Sequence, residues 1–277
     1  MQRPTPKKLI LGLLLAGQGK PLSVRDAIRA CALFDLSENN VRVTMVRLSA
    51  EGLIQSPERG YYALGPAAED LAKDVGSWRE LPQRLQPWQG DWLCCDLGTA
   101  GRLERKAKRL SLRALDMTGL RQLEGSLYLR PANLKGSAPH LHQRLVALGL
   151  PRRTLVACLS ELDEGRHNGA RHLWDPQAYS DNYQRRTEQL RGWLSRHDKL
   201  ELDEAARESY LLGAEAIREV VFDPWLPEDF IDAVSRQAFF DTVLEFDAAG
   251  QELWRRFYSQ GGGMPVGGGE SFSLARR

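Results

Sequence analysis

Apolar positions recur at helical spacing through the first quarter of the chain. Between Ser37 and Gly52, residues Val41, Thr44, Met45 and Leu48 fall three or four apart, which predicts a helix with one inward side. Asn39, Asn40, Arg42, Val43, Val46 and Arg47 fall on the other side. Ser37 is placed to cap this helix, its hydroxyl taking a free backbone N–H of the first turn. Gly52 stops it. Leu53 to Gln55 then reads as extended, Pro57-Glu58-Arg59-Gly60 as a tight turn, and Tyr61 to Leu64 as the returning strand. Upstream, Lys7 to Ala16 is an apolar helix, broken by Gly17 to Pro21. Ser23-Val24-Arg25-Asp26 opens a second helix in the manner of a capping box and runs to about Phe34.

Three helices with short breaks and then a hairpin is the order of a winged helix-turn-helix. The outward mixture on the third helix suits a major groove. Arginine pairs two acceptors of guanine, asparagine pairs adenine, and a small apolar side chain meets a thymine methyl. The expected DNA contacts are therefore Ser37, Asn39, Asn40, Arg42, Val43 and Arg47, with Arg59 at the tip of the wing.

The rest of the chain predicts an α+β protein. Ala67 to Leu85 reads as an amphipathic helix with Leu71, Val75, Trp78 and Leu81 inward, so residues 67–87 connect the winged helix (1–66) to a second domain. Asp91 to Leu97 is an apolar strand, and Thr99 to Thr118 a helix with a cationic outer side. Arg121 to Arg130 is a strand or hairpin, His140 to Ala147 a helix, and Arg153 to Leu159 a strand. That alternation over residues 88–173 predicts a ferredoxin-like sandwich. Residues 174–260 read as helical: Asp175-Pro176 to His197, Leu202 to Val220, Glu228 to Gln237 and Ala238 to Tyr258, with a rigid Phe222 to Pro227 turn between the second and third. The glycine-rich stretch 261–277 reads as disordered.

Composition adds three constraints. The 277 residues are enough for two or three domains. Leu9 to Ala16 is too short for a leader, and no apolar run approaches the ~20 residues that span a bilayer, so a cytoplasmic location is expected. Cys31, Cys94, Cys95 and Cys158 lack metal-ligand spacing and read as buried free thiols of a reducing compartment. The near-neutral total hides a polarity. Residues 1–66 carry about +4, residues 99–160 about +9 and residues 161–260 about −9, so the two front sections can meet phosphates.

Several stretches, taken in order, resemble the PaaX family of bacterial transcriptional regulators, the repressors of phenylacetate breakdown. They are VRVTMVRLSAEGLI with GYYAL, WQGDW, GLRQLEGSLYLRP, LWDPQAYSDNY, and FDPWLPEDF with ELWRRF, spread over about residues 7–258. The glycine-rich tail departs from the pattern. The resemblance implies an N-terminal winged helix, a middle ferredoxin-like domain similar to a small CRISPR adaptation nuclease, and a helical C-terminal domain that dimerises. It also implies a homodimer on a palindromic operator, released by an aryl-acyl-CoA such as phenylacetyl-CoA, with no cofactor.

An acyl-CoA needs cations for its phosphates and apolar surface for its acyl end. Arg105, Arg109 and Arg113 offer the first, and Trp88, Trp92, Trp174 and Tyr183 the second, against the plainer reading of a solvated or DNA-facing helix and core aromatics. The alternative function is a metal-dependent nuclease using Asp96 at the end of the first middle-domain strand. One carboxylate holds a divalent ion poorly, and a strand-end cap explains the residue equally well. His140 with His142, and His167 with His172, lack companion ligands and read as surface histidines.

Overall fold

The computed structural model describes residues 3–17, 19–68 and 76–260. The chain groups into two compact units, the first made of Met1–Gly76, Leu194–Ala214 and Phe246–Arg277, the second of Ser77–Trp193 and Glu215–Glu245. Each is taken by itself.

In the first unit, α1 (Pro6–Ala16), α2 (Val24–Ala32) and α3 (Glu38–Ala50) precede a hairpin of β2 (Ile54–Glu58) and β3 (Tyr61–Leu64). Thr5, Ser23 and Ser37 cap the three helices, each hydroxyl accepting the N–H three residues on. At Ser23 the box differs from the usual exchange: the serine hydroxyl also donates to the Asp26 carboxylate at 2.7 Å. A two-residue strand, β1 (Leu22–Ser23), adds to the hairpin and gives a sheet of order β1-β3-β2, all antiparallel. Leu9, Ile10, Val41, Met45, Leu48 and Ile54 are buried at the centre. Tyr210 and Phe257, from two later helices, close on this bundle. Tyr210 packs its ring edge-on to Phe34 and donates its hydroxyl to the Lys8 carbonyl at 3.2 Å. Arg29 donates to the Phe257 carbonyl at 2.6 Å and lies over its ring.

The joint between α3 and the hairpin is tight. A Cβ built on Gly65 would stand 2.3 Å from the Gly52 carbonyl oxygen, which is backbone and cannot rotate away. We expect Gly65→Ala to destabilise the protein by roughly 1–3 kcal/mol, the range for forced overpacking, measured by urea unfolding. Substituting Gly60, where an added Cβ would meet nothing within 4 Å, should show only its φ of 85°.

In the second unit, β4 (Trp92–Asp96), α4 (Arg105–Met117), β5 (Arg121–Glu124), β6 (Leu127–Pro131), α5 (Ser137–Ala147) and β7 (Leu155–Leu159) succeed one another. The sheet has order β5-β6-β4-β7 with every neighbour antiparallel. Leu93 and Cys95 point to the helical side, into a core with Ala114, Leu115, Leu120, Leu141 and Leu145. Trp92 and Cys94 alternate to the opposite face.

Helices α6 (Glu164–Arg171), α7 (Pro176–Leu194), α8 (Leu202–Phe222) and α9 (Ala233–Gln260) complete the chain, the last two divided between the units.

Several expected elements change. The Thr99 to Thr118 helix is a 3-10 turn, Leu97–Ala100, ended by Gly101 at φ 71°, with the α-helix starting only at Arg105. Glu228 to Gln237 is not a separate helix. Residues 228–230 turn, and Asp232 accepts the N–H groups of Val234 and Ser235 to start one continuous α9. In the expected helix at 67–85, residues 69–75, with Leu71 and Val75, lie outside the described residues. Pro66–Ala68 and Ser77–Arg84 are 3-10, the latter with Pro82 inside and Trp78 buried. The stretch 261–277 also lies outside the described residues. Of the four thiols, Cys158 is exposed on β7, while burial pushes Cys31 and Cys95 up to about 12.

Candidate functional site

In the first unit the outer side of α3 is mostly polar. α3 turns Val41, Met45 and Leu48 inward and leaves Asn39, Asn40, Arg42, Val43 and Arg47 exposed. Val43 is 40% and Val46 67% exposed, so both present methyl groups on this side of the helix. Ser37 is exposed too, but its hydroxyl accepts the Asn40 N–H at 3.4 Å, so it orders the first turn. Arg42 is held by Glu38 one turn earlier, Nε to Oε1 at 2.8 Å. An exposed pair of this kind contributes little to stability and breaks readily.

The hairpin turn carrying Arg59 is anchored from two sides. β3 pairs with β2 and β1, and the Gly60 carbonyl accepts the Val24 N–H at 2.9 Å. Beside it lies an open groove of about 530 Å³ bounded by Ser23, Arg25, Glu38, Arg42 and Gly60. Arg25 was not among the expected contacts. Its signal is its place: a cation two residues after the Ser23 cap, on the first exposed turn of α2. The face therefore combines bidentate donors, amides and methyl groups on one helix with cations at its edges. Such a set can read base edges at its centre and hold phosphates at its rim.

The seven residues expected to hold an acyl-CoA do not form one site. Trp92 is fully buried, stacked 6.4 Å from Trp174 and edge-on to Trp88 and Phe230. Its indole N–H reaches His167 Nδ1 at 3.3 Å. Trp88 is half-buried at the rim, its indole donating to the Asp91 carbonyl at 2.6 Å. Tyr183 belongs to another cluster, stacked on Phe239 with its hydroxyl donating to Asp223 at 2.5 Å. Arg105, Arg109 and Arg113 are exposed on α4, which covers the sheet face opposite to Trp92. Arg113 alone borders a groove of about 550 Å³, where Arg121 is paired with Asp116 and Arg186 with Glu215 and Glu219.

Beneath Tyr183 lies a polar cluster that no local pattern announces. Burial holds the Asp223 carboxyl above the ordinary carboxylate range, although Tyr183, the Trp225 N–H, Arg236 and Arg130 all pull the other way. Burial likewise pushes Arg130 down to about 10, so it remains charged at neutral pH. Its guanidinium donates to the Thr118 carbonyl at 2.6 Å, the Pro224 carbonyl at 2.9 Å and Asn133 Oδ1 at 3.2 Å.

Asp96 caps the 3-10 turn and also binds a side chain. Its Oδ1 accepts the Gly98 N–H at 2.9 Å and the Ser126 hydroxyl at 2.5 Å. The histidine pairs are likewise engaged singly: His142 with the Arg152 carbonyl, His172 with that of Asn168, and His167 with Trp92. Among the described residues no three His, Cys, Asp or Glu side chains gather as a metal site, and no helix is long and apolar enough to cross a membrane.

Residues 5–68 match the family described as PaaX-like protein, and residues 174–256 match the PaaX-like protein C-terminal domain. No curated protein matches the chain. Among solved structures, the uncharacterized protein Rv0674 from Mycobacterium tuberculosis aligns with a TM-score of 0.58 at 19% identity, over 91% of this chain and 99% of that one. At that identity the likeness is one of fold.

Proposed function

This chain belongs to the PaaX family of transcriptional regulators, and from that premise we propose that it is a homodimeric repressor of an aromatic-acid catabolic operon. In this reading α1 to α3 with the β1-β3-β2 sheet form a winged helix-turn-helix, and β4 to β7 with α4 and α5 a ferredoxin-like domain. The observation that carries it is the exposed side of α3, where Asn39, Asn40, Arg42, Val43 and Arg47 stand clear of a core that uses the other side completely. α3 enters the major groove of a palindromic operator, and Arg59 and Arg25 hold the flanking backbone. An aryl-acyl-CoA such as phenylacetyl-CoA lowers occupancy by binding the DNA-incompetent arrangement more tightly, since equal affinity for both states would shift nothing.

The test is an anisotropy titration on the protein's own upstream region at fixed salt, with and without phenylacetyl-CoA. The salt must be fixed because phosphate contacts make affinity steeply salt-dependent. Specific binding released by the acyl-CoA is the expected result. Binding no tighter than to random duplex would sink the regulator reading. Arg42→Ala and Arg47→Ala should each weaken operator binding by roughly 1–3 kcal/mol and relax preference at one base position, leaving random-sequence binding nearly unchanged.

A further inference from the structure

Helix α4 breaks the local rules that make helices stable, and does so with one kind of residue. Its first turn contains no acid, yet Arg105, Lys106 and Lys108 stand at the end where the backbone dipole is already positive. Its N-cap, Glu104, makes no side-chain capping bond. Arg105, Arg109 and Arg113 recur at intervals of four, so like charges repel along one stripe. With Lys106 they occupy the side turned away from Ser111, Ala114 and Leu115, which are buried, while Lys108 is exposed at the edge of the buried side.

These cations are also unopposed. Several surface arginines elsewhere are paired: Arg121 with Asp116 at 2.8 Å, Arg166 with Glu124 at 2.7 Å, Arg196 with Glu208 at 2.8 Å. Among the described residues, none of the five α4 cations makes an ion pair. Local rules broken this consistently, without an internal gain, are what a binding surface looks like.

We infer that the outer side of α4 is a second, sequence-independent contact for the phosphate backbone of duplex DNA. The occupant is set by what the side lacks as well as what it carries. α4 has no aromatic residue on which an unpaired base or a nucleotide ring could stack, and its exposed apolar side chains are only Leu110 and Leu112. Trp92 and Trp174, the aromatics that could have served a nucleotide ligand, are buried on the other face of the sheet. A row of cations about 6 Å apart along a helix, without stacking groups, fits a continuous polyanion. The inference rests on the proposed DNA-binding function and adds to it a surface that reads no bases.

The experiment measures affinity against salt for a long random duplex and for the upstream region, with wild type, with Arg105, Arg109 and Arg113 all changed to Gln, and with the same three changed to Lys. On both duplexes the Gln variant should show a log–log slope shallower by about 2.7, which is roughly 40-fold less loss of affinity between 50 and 200 mM salt. The Lys variant should keep the wild-type slope. Equal slopes for wild type and Gln variant overturn the inference, as does an unchanged slope with direct phenylacetyl-CoA binding lost, which would assign the cations to the effector's phosphates. Should the triple Gln variant fail to fold, Lys106→Gln is read in the same way against an expected change of about 0.9. If the wild type shows no operator preference the regulator reading fails, and the random-duplex slopes still decide this one.

Discussion

Arg130→Met should lower stability by about 3–5 kcal/mol, the range for removing one partner of a buried charged network. Arg130 is 2% exposed and comes from β6, yet its guanidinium satisfies the carbonyls of Thr118, at the end of α4, and Pro224, in the Phe222 to Pro227 turn. The turn needs holding. Trp225 has φ 49°, a left-handed conformation unfavourable for any residue with a Cβ. Three bonds hold it there: Asp223 Oδ1 accepts its N–H at 2.6 Å, Asn133 Nδ2 donates to its carbonyl at 2.6 Å, and its indole donates to the Val220 carbonyl at 3.1 Å. Methionine fills the stem's volume but leaves both carbonyls buried without a donor and Asp223 short of a cation. Urea unfolding of the second unit, followed by tryptophan fluorescence, reads the loss. A change within about 1 kcal/mol would mean that water replaces the guanidinium and that the network holds nothing.

The second large effect is expected at Trp92. Trp92→Ala should cost about 3–5 kcal/mol, because a fully buried indole leaves a cavity its neighbours cannot fill. Trp88, Trp174 and Phe230 lose an aromatic partner, and His167 loses a donor. Trp88→Ala, at the half-exposed rim, should cost distinctly less. The comparison also separates two roles. A Trp92→Ala protein as stable as wild type but no longer released from DNA by the acyl-CoA would return Trp92 to the effector site and count against its place in the core.

Much of the proposed contact face was legible because α3 obeys a single periodicity. One inward stripe and one cap fix which residues point out, and Val41, Met45 and Leu48 are buried as the spacing requires. The α4 cations were legible for the same reason. The cluster around Arg130 was not, because its bonds join residues up to 94 positions apart, and no window along the chain contains both ends. Strand β1 is two residues long and exists only through Tyr61 and Tyr62. α6 carries two glycines and one buried alanine, too little for an apolar period, and depends on the Asp163 carboxylate that caps it. The grouping of Trp92, Trp174 and Tyr183 as ligand aromatics meets their depth: all three are buried. Residue type says that a ring is apolar and nothing about whether it faces a cavity or a core.

The short strand β1 bears on how much ordering a partner would have to impose at the wing. A hairpin fastened along one edge would keep part of its backbone freedom, and each residue ordered on contact would cost roughly 1–2 kcal/mol. Here β3 is fastened along both edges, and the turn is tied to the start of α2 through Gly60 and Val24. Arg59 therefore stands on backbone that is ordered before any encounter. If the proposed DNA contact is made here, its heat-capacity change should follow the area covered, with no folding contribution to subtract.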